Sequence, residues 1–198
     1  MDRIPEHLVP ELRARTWARI VRVAFLRGTF TLSSGRQSSY YIDKYLFETD
    51  PAVLRDVGRL LARALPATTT RLVGPALGGV PLATAVALET GLPFAIVRPE
   101  IKGHGTARSL EGRLEASDRV VVVEDIVTTG GQAIRAARAV EAAGAKVLLV
   151  LAVVDRHEGG RDEITGAGYR FEALYDLHEW SSDGARAATG GPPGQAGG

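Results

Sequence analysis

The stretch from Arg119 to Arg135, RVVVVEDIVTTGGQAIR, sets four consecutive valines directly before two acids and follows them with two threonines and two glycines. Val120 to Val123 carries no polar alternation, which predicts a strand buried on both faces, as in a parallel sheet covered by helices. In open sheets of that kind ligands bind beyond the carboxyl ends of the strands, so Glu124 and Asp125 are expected at the rim of a pocket. Thr128, Thr129, Gly130 and Gly131 form a turn of small residues leading into a helix from about Gln132 to Ala143. There, exposed amides and the positive helix end favour a phosphate. An acid pair would repel a bare phosphate. It fits if the acids face ribose hydroxyls or a magnesium ion while the turn holds the phosphate, which makes the ligand a sugar phosphate. An ATP-type loop would need a Gly-Lys-Ser/Thr ending, which is missing here. Two acids at a strand end are commonplace by themselves; the restrictive feature is the whole string.

Outward from this stretch the same unit recurs. Leu72-Val73 runs into GPALGGVP (74 to 81) and a helix from about Leu82 to Thr90 that Gly91 ends. Phe94 to Val97 and Val147 to Val154 read as further strands. In the helix after Gly131, Arg135, Arg138 and Glu141 form a narrow polar stripe on an alanine-rich cylinder that Gly144 closes. Toward the amino terminus, Trp17, Ile20, Val21, Ala24 and Phe25 have helical spacing within residues 14 to 27. Residues 29 to 43 suggest a hairpin with a turn at Ser34-Gly35. Asp50 caps a helix that starts at Pro51 and buries Val53, Val57, Leu60, Leu61 and Leu65. The expected organisation is one domain over residues 1–180, with a hood at about 14–45 and a core at about 51–180. Residues 181–198 are expected to form a disordered tail, having almost nothing to bury.

Composition bounds the rest. The chain has 198 residues, 45% of them hydrophobic, enough for one substantial core. With 24 Lys and Arg against 23 Asp and Glu there is no bulk charge to attract nucleic acid or a membrane surface. Zero cysteines exclude disulfides, thiolate zinc sites and a cysteine nucleophile. No apolar run approaches the ~18 residues of a membrane span, and the first residues lack a signal-peptide core. A soluble, cytoplasmic protein is the expectation.

The string from Val120 to Gly131 resembles the signature with which type I phosphoribosyltransferases hold 5-phosphoribosyl-1-diphosphate (PRPP). That resemblance implies an α/β fold with a central, mainly parallel sheet flanked by helices and a small N-terminal hood. It gives the ribose hydroxyls to Glu124 and Asp125 and the 5-phosphate to the loop Ile126, Val127, Thr128, Thr129, Gly130 and Gly131. Residues 30–43 (FTLSSGRQSSYYID), 74–83 (GPALGGVPLA), 97–112 (VRPEIKGHGTARSLEG) and 153–160 (VVDRHEGG) look like segments of the orotate branch of the family, in the same order. The implied reaction is orotate plus PRPP giving orotidine 5'-monophosphate and diphosphate, in pyrimidine (UMP) synthesis. The implied metal is Mg2+, held mainly through PRPP and water, with Glu124 or Asp125 as protein ligands.

The stretch from Arg98 to Gly112 is cationic and glycine-rich, as suits a lid over a polyanion. The resemblance makes it a loop shared across the subunits of a homodimer. Arg98, Lys102 and His104 then meet the diphosphate, with Lys102, His104 and Asp125 the catalytic set. The backbone of Ala76, Leu77, Gly78 and Gly79 offers further amides to the diphosphate. Arg156 matches the arginine that takes the carboxylate of orotate, with Thr128, Tyr40 and Tyr41 also around the base. Three departures stand out: Ser33, Gly78 and Pro99 occupy positions where many orotate enzymes have lysine. Two alternatives follow, a transferase for another nucleobase and a non-catalytic PRPP-binding regulator.

Overall fold

The computed structural model describes residues 4–31, 37–99 and 110–177. Ser33, Lys102, His104 and the 181–198 tail lie outside the described residues. After a short 3-10 turn, the chain forms α1 (Val9–Ala24), β1 (Phe25–Thr31), β2 (Gln37–Ile42), α2 (Lys44–Glu48), α3 (Pro51–Ala64) and β3 (Arg71–Pro75). It continues with α4 (Gly79–Thr90), β4 (Phe94–Val97), β5 (Leu110–Glu111), β6 (Arg119–Val127), α5 (Gly131–Ala142), β7 (Lys146–Asp155), α6 (Gly160–Gly166) and β8 (Phe171–Asp176).

The main sheet has the order β5-β4-β3-β6-β7-β8. Its pairings are parallel except for β4 with β5. From β3 the chain winds outward to β4, and from β6 it winds the opposite way to β7, so the order reverses between β3 and β6. A crevice opens at such a switch point, beyond the carboxyl ends of the strands.

The valines of β6 explain themselves in this sheet. Val121 and Val123 pack into one cluster with Leu72, Leu82, Leu149 and Leu151, while Val120 and Val122 pack into the other with Ala133, Ala137 and Val140. All four valines are buried. Each contributes roughly 1.5–3 kcal/mol by leaving water. The same two-residue period then sends Asp125 toward the side of α2 and α3, and Glu124 toward that of α5.

The predicted helix starts and stops recur with small shifts. Asp50 caps α3, its carboxylate accepting from the Ala52 and Val53 amides at 2.9 and 3.0 Å, and Gly91 ends α4 in the left-handed region. The helix after GPALGGVP begins at Gly79, three residues before Leu82, because Pro81 is tolerated in a first turn. The helix expected over 14–27 runs instead from Val9 to Ala24, and Phe25 turns extended to begin β1. Pro10 suits the first turn of that helix, so it starts before the apolar stripe does. β1 and β2 pair antiparallel as the expected hairpin. Trp17 of α1 packs on Tyr175 of β8, ring centroids 4.9 Å apart, and joins the core cluster around α3.

Candidate active site

A cavity of about 610 Å³ opens at the carboxyl end of β6. Its wall includes Glu124 and Asp125, the bend from Ile126 to Gly131, Tyr41 and Arg156. The strand delivers the acids there because it is anchored along its whole length. A second cavity, about 330 Å³, lies by the amino ends of β3 and β4 and is bordered by Arg59, Arg63, Glu89 and Leu92. It contains none of the expected site residues.

The bend from Thr128 to Gly131 leads straight into α5. Gly130 is left-handed, φ 78°, and a Cβ there would stand 2.9 Å from the Gly160 carbonyl oxygen, so glycine is required on both counts. Two bonds tie the bend to the next loop: Gly160 N–H donates to Thr128 O at 2.8 Å and Arg156 N–H to Val127 O at 3.0 Å. Strand pairing thus sets Arg156 beside the acid pair. Asp155 supports the same turn, accepting from the His157 amide at 3.0 Å and from Arg161 Nε at 3.0 Å. Only 10% of the Arg156 side chain is exposed, and one end pairs with Glu158 at 3.1 Å. Its buried Nε–H has no acceptor among the described residues.

Asp125 is 1% exposed, and its Oδ2 accepts from Lys44 Nζ of α2 at 2.7 Å. Its Oδ1 accepts from the following amide, that of Ile126. Glu48, at the other end of α2, is also buried against this carboxylate. Gly78 closes the group: a Cβ there would collide with Asp125 Oδ2 and stand 2.8 Å from Glu48 Oε1. Gly78 therefore lies on Asp125 and Glu48 by backbone alone, and Gln132 Nε2 of α5 reaches the Ala76 carbonyl at 3.4 Å.

The electrostatics follow from burial. Burial and then the Asp125 charge hold the Glu124 carboxyl well above its ordinary range, against the opposing pull of Lys44 and Arg135. Burial and Asp125 likewise push Glu48 up to about 9. Burial pulls the Lys44 ammonium down, but the nearby carboxylates outweigh it and its pKa ends above the ordinary value. Glu124 Oε2 has no hydrogen-bond partner among the described residues. A buried acceptor left open in a cavity wall marks a place for a donor or a cation.

Glu48 yields a stability prediction. Between its ordinary 4.5 and about 9, the unfolded chain gives up a proton that the folded chain keeps. Native stability therefore falls as pH rises through that window, by at most about 1.4 kcal/mol per pH unit for the one proton. Glu48→Gln removes this contribution to the dependence. Its melting temperature relative to the parent is expected to be more favourable at pH 8 than at pH 5, and a difference constant with pH would count against this assignment.

Many of the expected site residues meet in the one cavity wall, but four groups do not. Ala76, Leu77, Gly78 and Gly79 lie outside that wall, Gly78 packing on Asp125. Tyr40 stacks on Phe25, centroids 5.8 Å apart, against the core; Tyr41 lines the cavity. Arg98 stands outside that wall, paired with Glu111 at 3.2 Å. Lys102 and His104 lie outside the described residues. Lys44, Glu48 and Arg135 were not singled out as site residues in the sequence. Arg135 was legible as a polar position near the start of α5, whereas Lys44 and Glu48 enter from a five-residue helix too short for periodicity to reveal.

The model of the phosphoribosyl transferase domain matches residues 47–172. The chain is similar to the orotate phosphoribosyltransferase of Halobacterium salinarum, 51% identical over 147 residues, which cover 74% of this chain and 83% of that one. It is also similar to that of Methanocella arvoryzae, 44% identical over 152 residues, 77% and 87% of the two chains. Among solved structures, the Mycobacterium tuberculosis H37Rv orotate phosphoribosyltransferase in complex with PRPP superposes with a TM-score of 0.71. The two are 32% identical, with 86% of this chain and 99% of that one covered.

Proposed function

The chain belongs to the phosphoribosyl transferase family, and from that premise we propose that it is an orotate phosphoribosyltransferase, moving the 5-phosphoribosyl group from PRPP to orotate in pyrimidine synthesis. The observation that carries this reading is a single cavity holding an acid pair, an amide-lined bend at a helix start and a largely buried arginine. The three match the ribose, the 5-phosphate and the carboxylate of the base.

On this reading the amides and hydroxyls from Thr128 to Gly131 hold the 5-phosphate at the positive end of α5. Glu124 and Asp125 accept from the ribose hydroxyls, and the backbone of Ala76 to Gly79 faces the diphosphate. As the bond from C1 to the diphosphate breaks, positive charge grows on C1 and the ring oxygen, while N1 of orotate forms the new bond and its proton passes to the departing diphosphate. The Asp125 carboxylate, fixed beside the sugar, stabilises that growing charge without reorganising. Arg98, Lys102 and His104 serve the opposite charge on the leaving diphosphate, as parts of a lid shared across a homodimer. Lid closure excludes the water that would otherwise hydrolyse PRPP.

A divalent cation fits the residues present. Magnesium takes oxygen ligands, usually one or two carboxylates plus phosphate oxygens and water, and the open Glu124 Oε2 beside Asp125 supplies such oxygens. Glu124 and Asp125 would hold it together with PRPP, and when bound it neutralises charge on the diphosphate.

The test is direct. With PRPP and magnesium, orotate absorbance is expected to fall in step with diphosphate release, and Lys102→Ala is expected to slow both by roughly 100-fold or more. Faster turnover of uracil or adenine than of orotate would mean a different base, and PRPP binding without diphosphate release from any base would mean a regulator.

A further inference from the structure

We propose that Lys44 is a diphosphate-binding residue, supplied from α2 to a site whose flanking loop, Ala76 to Gly79, carries no cation of its own. This rests on the reading of the cavity as a PRPP site.

Three cations stand in the cavity wall among the described residues, Lys44, Arg135 and Arg156. Arg156 is paired with Glu158 on the side of the β7 loop. Arg135 lies over the start of α5, where a Cβ on Gly131 would be 3.4 Å from its Nη1, so it serves the 5-phosphate end. Lys44 alone among these is on the Asp125 side, its ammonium 2.7 Å from Asp125 Oδ2. In PRPP the diphosphate is attached to C1, next to the carbon whose hydroxyl the acid pair is proposed to hold. An ammonium seated on that acid is one swing of its flexible four-carbon stem from the diphosphate oxygens.

The seat is built to be left. The Lys44 side chain is 29% exposed while that of Asp125 is 2% exposed, so the acid is fixed and the base can move. Ribose hydroxyls arriving at Asp125 supply the donors that replace the ammonium. The ammonium also lies 5.4 Å from the centre of its neighbour's ring, Tyr45, an alternative support while it moves. Position 78 is glycine and supplies no cation here, a Cβ there meeting Asp125 Oδ2 where that carboxylate stands, and the neighbouring helix presents an ammonium across the same gap. Asp43 fixes the start of that helix, its carboxylate accepting from the Tyr45 amide at 3.1 Å.

The experiment measures binding of three ligands to the full chain by calorimetry in magnesium: PRPP, diphosphate and ribose 5-phosphate. Lys44→Met is expected to weaken PRPP and diphosphate by roughly 10-fold to 100-fold, the range of a lost charged hydrogen bond. Ribose 5-phosphate, which lacks the diphosphate, is expected to change by less than about twofold, and Lys44→Arg is expected to retain most of the diphosphate affinity. A purely structural Lys44 would displace Asp125 and weaken ribose 5-phosphate as much as the others; that result, or no change in any ligand, overturns the proposal. If Lys44→Met does not melt cooperatively, Lys44→Gln carries the same comparison. Failure of the parent chain to bind PRPP would sink the underlying reading, and is seen before any variant is made.

Discussion

Asp125→Asn is expected to lower kcat/KM for PRPP by roughly 100-fold to 1000-fold, the usual cost of removing one preorganised charge from a developing ionic transition state. Its melting temperature is expected to stay at the parent's value or rise. The two halves have one cause. The carboxylate of Asp125 is buried beside two other carboxyls, and it is among the charges that raise both Glu124 and Glu48. Holding three acids together in a crevice costs stability, and Lys44 offsets only part of it. Asparagine keeps the shape and its one oxygen still accepts from Lys44; the Ile126 amide loses its acceptor, at a cost of about 1–3 kcal/mol, and relief of the repulsion among the three acids offsets it, so folding loses little when the charge goes. On the proposed mechanism catalysis loses the group that faces C1 as it becomes cationic. Steady-state kinetics and a thermal melt on the same sample decide the matter. A variant that turned over normally would place the ribose elsewhere, and one that melted far below the parent would make Asp125 a structural residue.

What the sequence displays of this site is the part encoded locally. The strand, the acids, the Thr-Thr-Gly-Gly bend and the helix are contiguous, so hydrophobic period and turn chemistry suffice to place Glu124 through Gly131. Arg156 was legible for a related reason: it follows β7, which pairs in parallel with β6, so both strand ends reach the same rim. Lys44 and Glu48 were invisible because they depend on α2 being laid against β6, some 80 residues later in the chain. Nothing in KYLFE announces a buried acid, and Phe47, the apolar anchor of that turn, is a single residue without a period. The last elements were missed for a different reason. In β8, Phe171, Leu174 and Tyr175 are buried among polar neighbours, as suits a sheet edge, and that pattern gives neither a clean alternation nor a continuous apolar run. Tyr40 and Tyr41 show the limit of reading adjacent residues. Neighbours in a strand point to opposite faces, so one ring joined the core and the other the cavity wall.

Arg156→Ala is expected to raise the KM for orotate by about 100-fold or more, the scale of removing one partner from a buried, charge-assisted pair, while PRPP affinity measured without base is unchanged. The separation follows from position. Arg156 sits on the β7 loop, and its main chain bonds Val127 at 3.0 Å, but its side chain takes no part in the Thr128 to Gly131 bend proposed to hold the phosphate. Its guanidinium is only half answered: Glu158 takes one end and the buried Nε–H has no acceptor among the described residues. A carboxylate entering the cavity supplies that acceptor, and a base lacking one, such as uracil, cannot. The orotate-over-uracil preference is therefore expected to shrink in Arg156→Ala by about the factor lost for orotate. Arg156→Lys restores charge without the planar fork and is expected to recover only part of it. Should Arg156→Ala lose orotate and uracil equally, the arginine is shaping the loop rather than reading the base. Should it lose neither, the carboxylate is bound elsewhere and the base pocket must be sought on another wall of the cavity.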